Sequence, residues 1–511
     1  MFSNSALHRY LHNQSVDSVD PTFLAYLANL SVVASDNPEV AAAIVQELED
    51  QRRYLKLIAS ENYCSPATQL AMGNLLTDKY AEGVPFQRFY EGCDNVDYIE
   101  DLASKEACTL FGAEHAYVQP HSGADANMVA FWAILTARVE VPSLEKLGIT
   151  NPAALSNEDW NKVRDAINNQ RLLGMDYYSG GHLTHGYRRN LSGKMFESFS
   201  YTVNRETGWL DYDEIEAMAL ELRPLILLAG YSAYPRRINF KRMREIADKV
   251  NAVFMVDMAH FAGLVAGGVF QGEENPVPYA HIVTSTTHKT LRGPRSGFIL
   301  CQKEFAEYVD KGCPLVLGGP LPHVLAAKAV AFREANRPEY KQYAQRVVEN
   351  SRALAKALTD RNFTLATGGT DNHLLLIDVA ASCGLTGAQA AAAIRACGIT
   401  LNFNSLPFDA NGPLITSGLR LGTAAITTLG MTPAEMEEIA ALIRKILDHT
   451  KPALLKTGNN AGKPSKRMFE LDQHIQQEVL DQVKQLLDRF PVYPMLNLAV
   501  LKEYFPAPEK E

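Results

Sequence analysis

The middle of the chain alternates short apolar runs with amphipathic segments. Apolar runs that lack regular polar alternation predict strands buried on both faces of a sheet. Residues 240–251 lie between two such runs and have helical spacing, with basic residues on the outer face. Strands separated by helices predict a largely parallel sheet covered on both faces, which is an α/β fold. The predicted strands are residues 224–229, 253–257, 281–285 and 297–300.

The pattern changes after Pro320 to longer helical segments around one apolar strand. The predicted elements of this second, smaller α/β unit are helices at 324–336, 339–360, 386–397 and 433–449 and a strand at 373–379. Residues 458–464 are rich in Gly and Asn and predict a flexible link to a final helix, 472–490. We therefore expect an N-terminal arm (1–50), a large domain (51–335), a small C-terminal domain (336–455) and a C-terminal extension (456–511).

Composition narrows the class of protein. The chain has 511 residues, of which 47% are hydrophobic and 21% charged, as in a globular enzyme. The formal charge of −9 argues against non-specific binding of nucleic acid. No run approaches the ~20 apolar residues of a membrane span, and no basic segment resembles a secretory signal. The seven cysteines are scattered and include no CxxC pair, so we expect a cytoplasmic protein.

Lys289 is the strongest candidate for chemistry. It follows a predicted buried strand and stands within a run of hydroxyl residues that ends in a Gly-Pro turn. Burial and nearby cations lower the pKa of such an amine, and the neutral form makes a Schiff base with a carbonyl or with pyridoxal phosphate. The alternative is a lysine whose ammonium reaches the surface.

Two further features suit the same cofactor. Asp257 ends an apolar strand, where a buried carboxylate would keep a pyridine nitrogen protonated; the alternative is a helix N-cap. Residues 119–127 form a small-residue turn that opens a helix, and free backbone N–H groups there bind phosphate. Plain helix capping explains that turn equally well when it is taken alone.

Histidine and arginine supply two more candidates. His182 and His185 lie in one glycine-rich loop, and we favour stacking on a cofactor ring over metal ligation because no third ligand lies nearby in sequence. We therefore predict no metal. Arg420 is the one charged residue of a strand-like run and suits the carboxylate of an amino acid, the alternative being a structural salt bridge.

Together these residues resemble the serine hydroxymethyltransferase family of pyridoxal 5'-phosphate enzymes, which have the aspartate-aminotransferase-like fold (fold type I). The resemblance extends from about Leu57 to Leu447. Its most specific stretches are 57–63, 232–234, 243–247, 256–260, 286–295, 368–373 and 416–422. It implies a large domain with a mostly parallel seven-stranded sheet flanked by helices, and a smaller C-terminal α/β domain.

The resemblance also implies roles for individual residues. The implied catalytic residues are Lys289, Glu82, Tyr80, His260 and Thr286. The implied cofactor-binding residues are Ser122, Gly123, His182, Ser232, Asp257, His260, His288, Lys289 and Gly319. The implied substrate-binding residues are Ser60, Tyr80, Glu82, Tyr90, Leu183, Arg295, Asn404 and Arg420.

The implied reaction is the reversible transfer of the serine hydroxymethyl carbon to tetrahydrofolate, giving glycine and 5,10-methylenetetrahydrofolate. The implied assembly is a homodimer with shared active sites, or a tetramer of such chains. A folate-independent aldolase or an amino-acid racemase on the same scaffold is the alternative. A catalytically silent subunit is disfavoured, since it would not need Lys289, Asp257 and Arg420 together.

The chain departs from the family pattern in three places. Ala124 stands where a serine is usual, and Phe89 where a tyrosine is usual. Residues 314–320 keep only Gly318 and Gly319 of a glycine-rich loop, so we expect weaker cofactor binding. The stretch from about 140 to 175 is longer than usual, and we favour a surface excursion over a lid on the folate site.

Overall fold

A computed structural model of the protein describes residues 5–12, 14, 19–149, 155–457 and 460–506. Its helices are α1 (Ala6–His12), α2 (Pro21–Asp36), α3 (Pro38–Arg53), α4 (Pro66–Leu70), α5 (Asp94–Phe111), α6 (Gly123–Leu135), α7 (Val141–Lys146), α8 (Asn157–Asn168), α9 (Ser192–Met195), α10 (Tyr212–Leu222), α11 (Phe240–Lys249), α12 (Ala262–Ala266), α13 (Lys303–Asp310), α14 (Gly312–Leu315), α15 (Pro322–Ala335), α16 (Pro338–Thr359), α17 (Val379–Cys383), α18 (Gly387–Ala396), α19 (Ala424–Thr428), α20 (Pro433–Asp448), α21 (Gln473–Arg489) and α22 (Leu498–Tyr504). Within this described part, no helix is long and apolar enough to cross a membrane.

The strands form one large sheet and several small ones. They are β1 (Leu55–Lys56), β2 (Gly83–Val84), β3 (Gln87–Arg88), β4 (His115–Tyr117), β5 (Arg171–Met175), β6 (Glu197–Tyr201), β7 (Ile226–Gly230), β8 (Val253–Asp257), β9 (Ile282–Thr286), β10 (Gly297–Cys301), β11 (Thr364–Leu365), β12 (Leu374–Asp378), β13 (Ile399–Thr400), β14 (Asn402–Asn404), β15 (Gly418–Gly422), β16 (Thr450–Leu454) and β17 (Pro464–Leu471). The large sheet has seven strands in the order β4-β10-β9-β8-β7-β5-β6. Only β10 is antiparallel to its neighbours, so the predicted mostly parallel sheet is confirmed.

Both faces of the large sheet are buried, which explains the continuous apolar runs. Along β8, Phe254 and Val256 pack into the core on one face, whereas Val253 and Met255 pack into the core on the other. Side chains alternate between faces with a period of two, so a strand between two helical layers must be apolar at every position. Asp257 breaks this rule at the carboxyl end of β8.

A second, antiparallel sheet of four strands in the order β11-β12-β15-β14 carries Arg420. Its core also includes Leu55 and Leu57, and β1 pairs in parallel with β13. The final helix α21 contributes Val479 and Val483 to the same core. The domain limits at residues 335 and 455 stay a prediction.

Two segments differ from their sequence-based expectations. Residues 458–464 do not lead directly to the final helix as a flexible link, because β16 pairs antiparallel with β17 across them; residues 458 and 459 lie outside the described part. Gly and Asn favour a hairpin turn as readily as a link. In the stretch 140–175, Arg171–Met175 forms β5 between β6 and β7, so this part is sheet and not a surface excursion.

Candidate active site

The candidate site lies at the carboxyl ends of β8 and β9, where ligands bind in open α/β sheets. The two strands are parallel, and Asp257 pairs in register with Thr284. Lys289 follows the end of β9 by three residues. The sheet therefore brings the predicted carboxylate and the predicted amine to one edge.

Asp257 is a buried carboxylate that accepts three hydrogen bonds. Its Oδ2 accepts from Asn127 Nδ2 at 2.9 Å and from His185 Nε2 at 3.2 Å. Its Oδ1 accepts from the Ala259 backbone N–H at 3.0 Å. Burial raises the pKa of this carboxyl group, but the donors from His185 and Asn127 outweigh burial and hold the pKa below its ordinary value. The site therefore contains a fixed negative charge.

Asn127 and His185 hold that carboxylate, and the sequence analysis did not assign them this role. Asn127 Nδ2 also donates to Thr184 Oγ1 at 2.8 Å, and its Oδ1 accepts from Thr284 Oγ1 at 2.5 Å. His185 Nδ1 accepts from the His182 backbone N–H at 3.2 Å, so its Nε2 carries the proton donated to Asp257. For His185, the sequence signal was its pairing with His182 in one loop. For Asn127, the signal was an amide side chain inside an apolar helix.

One atom each from His182, His185 and Asp257 lie within 4.8 Å of one another, a spacing that could hold a metal ion. The hydrogen bonds already use both ring nitrogens of His185. His182 Nδ1 accepts from the Thr184 backbone N–H at 3.2 Å, and burial lowers the pKa of His182 to about 4. The three side chains therefore form a hydrogen-bonded network around one anion.

Lys289 points its amine at the end of β9. Its Nζ donates to Thr286 Oγ1 at 3.2 Å, and Asn62 Nδ2 donates to the Lys289 carbonyl at 3.0 Å. Burial lowers the pKa of Lys289 to about 8; the Asp257 carboxylate opposes this shift, and the cations of Arg420 and Arg295 add to it. A substantial fraction of this amine is neutral near physiological pH, as a nucleophile requires.

The turn before α6 lies against the end of β9. Ser122 caps α6, its Oγ accepting from the Asp125 N–H at 3.1 Å. A Cβ atom added to Gly123 would lie 2.7 Å from Thr286 Cγ2, so only glycine fits this approach. The first N–H groups of a helix have no partner within it and suit a phosphate. Nearby in sequence, His288 has its pKa lowered to about 3 by burial, and its Nδ1 has no hydrogen-bond partner among the described residues.

Arg420 and Lys289 open into one cavity of about 370 Å³. Arg420 Nε donates to Asn402 Oδ1 at 3.1 Å, and its Nη1 donates to the Ser232 carbonyl at 2.7 Å. Burial lowers the pKa of Arg420 to about 10, so it remains a cation at neutral pH. The cavity is lined by Ser60, Tyr177, Gly181, His182, Leu183, Ser232, Ala233, His260, Lys289, Asn402, Phe403, Asn404, Ser405, Pro413, Thr416 and Arg420.

His260 is a buried wall of this cavity. Its Nδ1 lies 3.2 Å from His373 Nε2. Burial, together with the cations of Lys289 and Arg420, lowers the pKa of His260 well below its ordinary value, and burial lowers that of His373 to about 3. Both imidazoles are neutral at physiological pH, so one ring can donate a hydrogen bond to the other without adding charge to the site.

Four predicted residues form a separate cluster outside this cavity. Tyr90 Oη donates to Glu82 Oε2 at 2.8 Å, and the Tyr80 and Tyr90 rings meet edge to face at 5.3 Å. A Cβ atom on Gly319 would lie 3.6 Å from Tyr80 Cε1. Tyr80 is 61% exposed and Tyr90 44% exposed. In a single chain this cluster, which we call the Glu82 cluster, does not line the cavity.

The remaining predicted residues lie near the cavity without lining it. Thr286 and Asp257 lie at the strand ends described above, and Ser122 and Gly123 form the turn against them. Arg295 is exposed and acts on Lys289 through its charge. Tyr177, which the cavity contains, carried no recognisable signal in the sequence, whereas Asn402 belongs to the segment 402–404 for which the resemblance implies contact with tetrahydrofolate.

Comparison with known proteins gives one result throughout. The family model described as "Serine hydroxymethyltransferase" matches residues 33–148 and 160–443, so only 149–159 of the long stretch falls outside it. The protein named serine hydroxymethyltransferase of Treponema pallidum (strain Nichols) is 62% identical over 503 residues, covering 98% of this chain and 87% of that protein. Proteins of the same name from Salinispora tropica and Mycolicibacterium smegmatis are 56% and 55% identical, covering 93% and 94% of this chain and 98% and 96% of their own lengths.

Proposed function

The chain belongs to the serine hydroxymethyltransferase family, and we propose that the cavity around Lys289 and Arg420 is where its reaction takes place. The reaction is the reversible transfer of the serine hydroxymethyl carbon to tetrahydrofolate, which gives glycine and 5,10-methylenetetrahydrofolate. The observation that carries the assignment is the pairing of a partly neutral lysine with a partly buried arginine in one cavity. The first suits a carbonyl and the second an amino-acid carboxylate.

The residues at the strand ends fit pyridoxal 5'-phosphate, the cofactor of the family. Lys289 would hold its carbonyl carbon, Asp257 its ring nitrogen, and the turn at Ser122 and Gly123 its phosphate. Two observations support this fit: the space that a Cβ atom on Gly123 would fill, and His288 Nδ1, which has no hydrogen-bond partner within the described part of the chain. When bound, the cofactor supplies an electron sink for the charge left on Cα as the bond to the hydroxymethyl carbon breaks.

The buried network fixes the charge that the cofactor requires. His185 and Asn127 keep Asp257 ionised, and they fix its oxygens in direction, because each donor is itself held by a second hydrogen bond. His182 is neutral and lines the cavity, where a flat apolar ring face is useful for contact with the cofactor ring. These side chains keep the Asp257 charge in place and transfer no proton during the reaction.

Arg420 binds and orients the amino acid. Its bonds to Asn402 and to the Ser232 carbonyl use Nε and Nη1, and Nη2 makes no hydrogen bond to any residue that the structure describes, so it can meet a carboxylate. Ser60 lines the cavity and adds a hydroxyl donor. Fixing the carboxylate fixes which bond to Cα stands toward the cofactor, and that choice sets the reaction that follows.

Tetrahydrofolate occupies the part of the cavity next to Leu183 and Asn404, with Asn404 as a polar contact to its pterin. Glu82 holds and moves the proton at the serine hydroxyl oxygen, and the hydroxyl of Tyr90 positions it. Thr286 accepts from Lys289 Nζ and donates to the Ala259 carbonyl at 3.3 Å, while His260 and Ser232 line the cavity beside Lys289. Arg295 acts on substrate only through its charge.

The Glu82 cluster supports a homodimer with shared active sites, because it does not line the cavity of its own chain. Large apolar side chains next to it in sequence are exposed: Leu75 87%, Phe86 72%, Phe89 68% and Leu315 61%. Exposed apolar side chains in such number mark an interaction surface. In a symmetric dimer the same patch from both chains would meet and carry each Glu82 toward its partner. A tetramer of such chains uses the same contact.

A mixing experiment tests the shared site. Glu82→Gln and Lys289→Ala chains are each inactive alone, and they are co-refolded at equal amounts. A shared site predicts about a quarter of wild-type activity, since half of the dimers are mixed and each has one intact site. If the mixture stays inactive although mixed dimers form, Glu82 acts in its own chain or not at all.

We also place the enzyme in the cytoplasm. All seven cysteines are thiols, and four of them are buried in the core. Thiols of this kind persist in a reducing compartment.

A further inference from the structure

The antiparallel pair β16 and β17 lies outside the part of the chain that the family model matches, which ends at residue 443. We call this pair, residues 450–454 and 464–471, the C-terminal hairpin. It lies next to the connection between β14 and β15, residues 405–417, which we call the cavity loop. The cavity loop lines the cavity through Ser405, Pro413 and Thr416.

The C-terminal hairpin is fixed first to the beginning of α18. Gln389 is 1% exposed, and its Nε2 donates to the Ser465 carbonyl at 2.6 Å and to the Met468 carbonyl at 3.0 Å. Thr386 Oγ1 donates to the Lys466 carbonyl at 2.8 Å. Three hydrogen bonds thus hold the start of β17 against one helix end.

The same helix end holds the cavity loop on its other side. The N–H groups of Gly387 and Ala388 donate to the Thr416 and Ile415 carbonyls, each at 3.0 Å. A Cβ atom on Gly387 would lie 2.2 Å from Thr416 Oγ1, so helix and loop are in direct contact. The hairpin, the helix end and the cavity wall therefore form one continuous stack.

The C-terminal hairpin also reaches the tip of the cavity loop directly. Arg467 Nη2 donates to the Leu414 carbonyl at 3.2 Å, and Lys466 Nζ lies 3.4 Å from Asn411 Oδ1. Pro413, between those two loop residues, lines the cavity. The loop is also tied internally, because Asp409 accepts from the Ser417 N–H at 2.8 Å and from the Asn411 N–H at 2.9 Å, and Asn411 Nδ2 donates to Ser417 Oγ at 3.0 Å. The hairpin adds the contact to Leu414, which lies next to Pro413.

The tip lies on the tetrahydrofolate side of the cavity. Asn402 pairs with Arg420 across β14 and β15, and Asn404 pairs with Gly418. The cavity loop begins at Ser405, three residues beyond Asn402, so it starts roughly 10 Å along the strands from the arginine that binds the amino acid. A displaced tip therefore disturbs the second substrate before the first.

We propose that the C-terminal hairpin is a positioning element for the tetrahydrofolate side of the cavity, with Arg467 as its positioning residue. This inference rests on the proposed function. Arg467 holds the Leu414 carbonyl, the held tip keeps Pro413 in place, and the cavity wall is formed before tetrahydrofolate arrives. Pre-formed walls bind more tightly because less ordering accompanies binding.

The test is Arg467→Ala in the full-length holoenzyme. We expect the KM for tetrahydrofolate to rise about fivefold, the effect of losing one hydrogen bond of roughly 1 kcal/mol at 1.4 kcal/mol per factor of ten. The KM for serine and kcat should stay within twofold of the wild-type values, and the melting temperature should not change. Arg467→Lys keeps a donor and should restore most of the affinity. Lys451→Ala removes an exposed cation from the same hairpin, one with no recorded contact to the described part of the cavity loop, and should have no effect.

Two outcomes would overturn the proposal. The first is an unchanged KM for tetrahydrofolate in Arg467→Ala together with a raised KM in Asn404→Ala. If neither variant changes this KM, the proposed position of tetrahydrofolate in the cavity is wrong. The second outcome separates positioning from direct contact. If Arg467 only positions the cavity loop, Arg467→Ala should raise the KM equally for tetrahydrofolate with one glutamate and with several. A rise in KM confined to the form with several glutamates would mean that Arg467 binds the substrate carboxylates itself.

Discussion

The lowered pKa of Lys289 predicts an unusual reactivity for the enzyme without its cofactor. Burial lowers this pKa from 10.5 to about 8. At pH 7.5 roughly a quarter of the amine is neutral, whereas an unshifted lysine would be neutral in roughly one molecule in a thousand. The neutral fraction of Lys289 is therefore about two hundred times that of an unshifted lysine. Lys289 should react faster with an amine-directed reagent than an unshifted lysine of equal access, because only the neutral amine is nucleophilic.

The assay is trinitrophenylation of the cofactor-free enzyme between pH 6 and 10, with the Lys289 peptide quantified by mass spectrometry. The rate should rise with a midpoint near pH 8. Lys105, whose side chain is 72% exposed, serves as the internal reference for reagent activity. The fold is monitored at each pH by near-ultraviolet circular dichroism.

Removing the charge of each neighbour tests the physical cause of the lowered Lys289 pKa. Asp257→Asn removes the carboxylate that opposes the shift, so the midpoint should move below that of the unaltered enzyme. Arg420→Gln removes a cation that adds to the shift, so the midpoint should rise. A midpoint near 10 in the unaltered enzyme would refute the burial argument. A midpoint that is unchanged by both substitutions would refute the electrostatic effect of Asp257 and Arg420 on Lys289.

Three further predictions follow from the described contacts. Gly123→Ala should weaken pyridoxal phosphate binding at least tenfold by equilibrium titration, since its Cβ atom would meet Thr286 Cγ2 at 2.7 Å, whereas Gly73→Ala, with nothing within 4 Å, should leave binding unchanged; equal effects would contradict the cradle. Glu82→Gln should abolish folate-dependent transfer but leave the spectral response to glycine intact, and loss of both would mean that Glu82 is misplaced. The pKa of buried His281 is lowered to about 4, so the unfolded chain takes up its proton first as pH falls below about 6.5. The free energy of unfolding should then decrease by up to about 1.4 kcal/mol per pH unit for this group down to about pH 4, and His281→Asn should flatten the urea-measured slope; a parallel slope would contradict this.

The sheet could be predicted because burial on both faces leaves a plain sequence signature. The run 253–257 is β8 to the residue, and the run at 281–285 differs from Ile282–Thr286 by one position. Strand ends then indicated where chemistry would lie, so Asp257 and Lys289 were predicted as site residues because they are exceptions to an apolar pattern. Arg420 was predicted in the same way, as one charge in an uncharged strand, and the roles of all three stay predictions.

The residues that support the site left weaker signals. Asn127 sits among apolar residues of α6, and its role depends on Thr184 and Asp257, which lie 57 and 130 residues away along the chain. No local pattern encodes such a meeting. The C-terminal hairpin was missed for a different reason: Gly and Asn between two short polar strands favour a turn and a link equally.

The separate position of the Glu82 cluster could not be derived from spacing at all. The resemblance to the family implies the roles of these residues, yet in a single chain they lie outside the cavity, and Tyr80 and Tyr90 are exposed. Their contribution depends on how two copies meet, which is a property of the surface and not of the local sequence.

The most direct test of the account is the visible absorption spectrum of the purified enzyme with pyridoxal phosphate and glycine, recorded before and after adding tetrahydrofolate. We propose an amino-acid site at Arg420 and a folate site at Asn404 in one cavity beside Lys289. This arrangement predicts a cofactor band that responds to glycine and a new long-wavelength band that needs both ligands. A cofactor band that responds to glycine and ignores tetrahydrofolate, or the absence of any band, would contradict it.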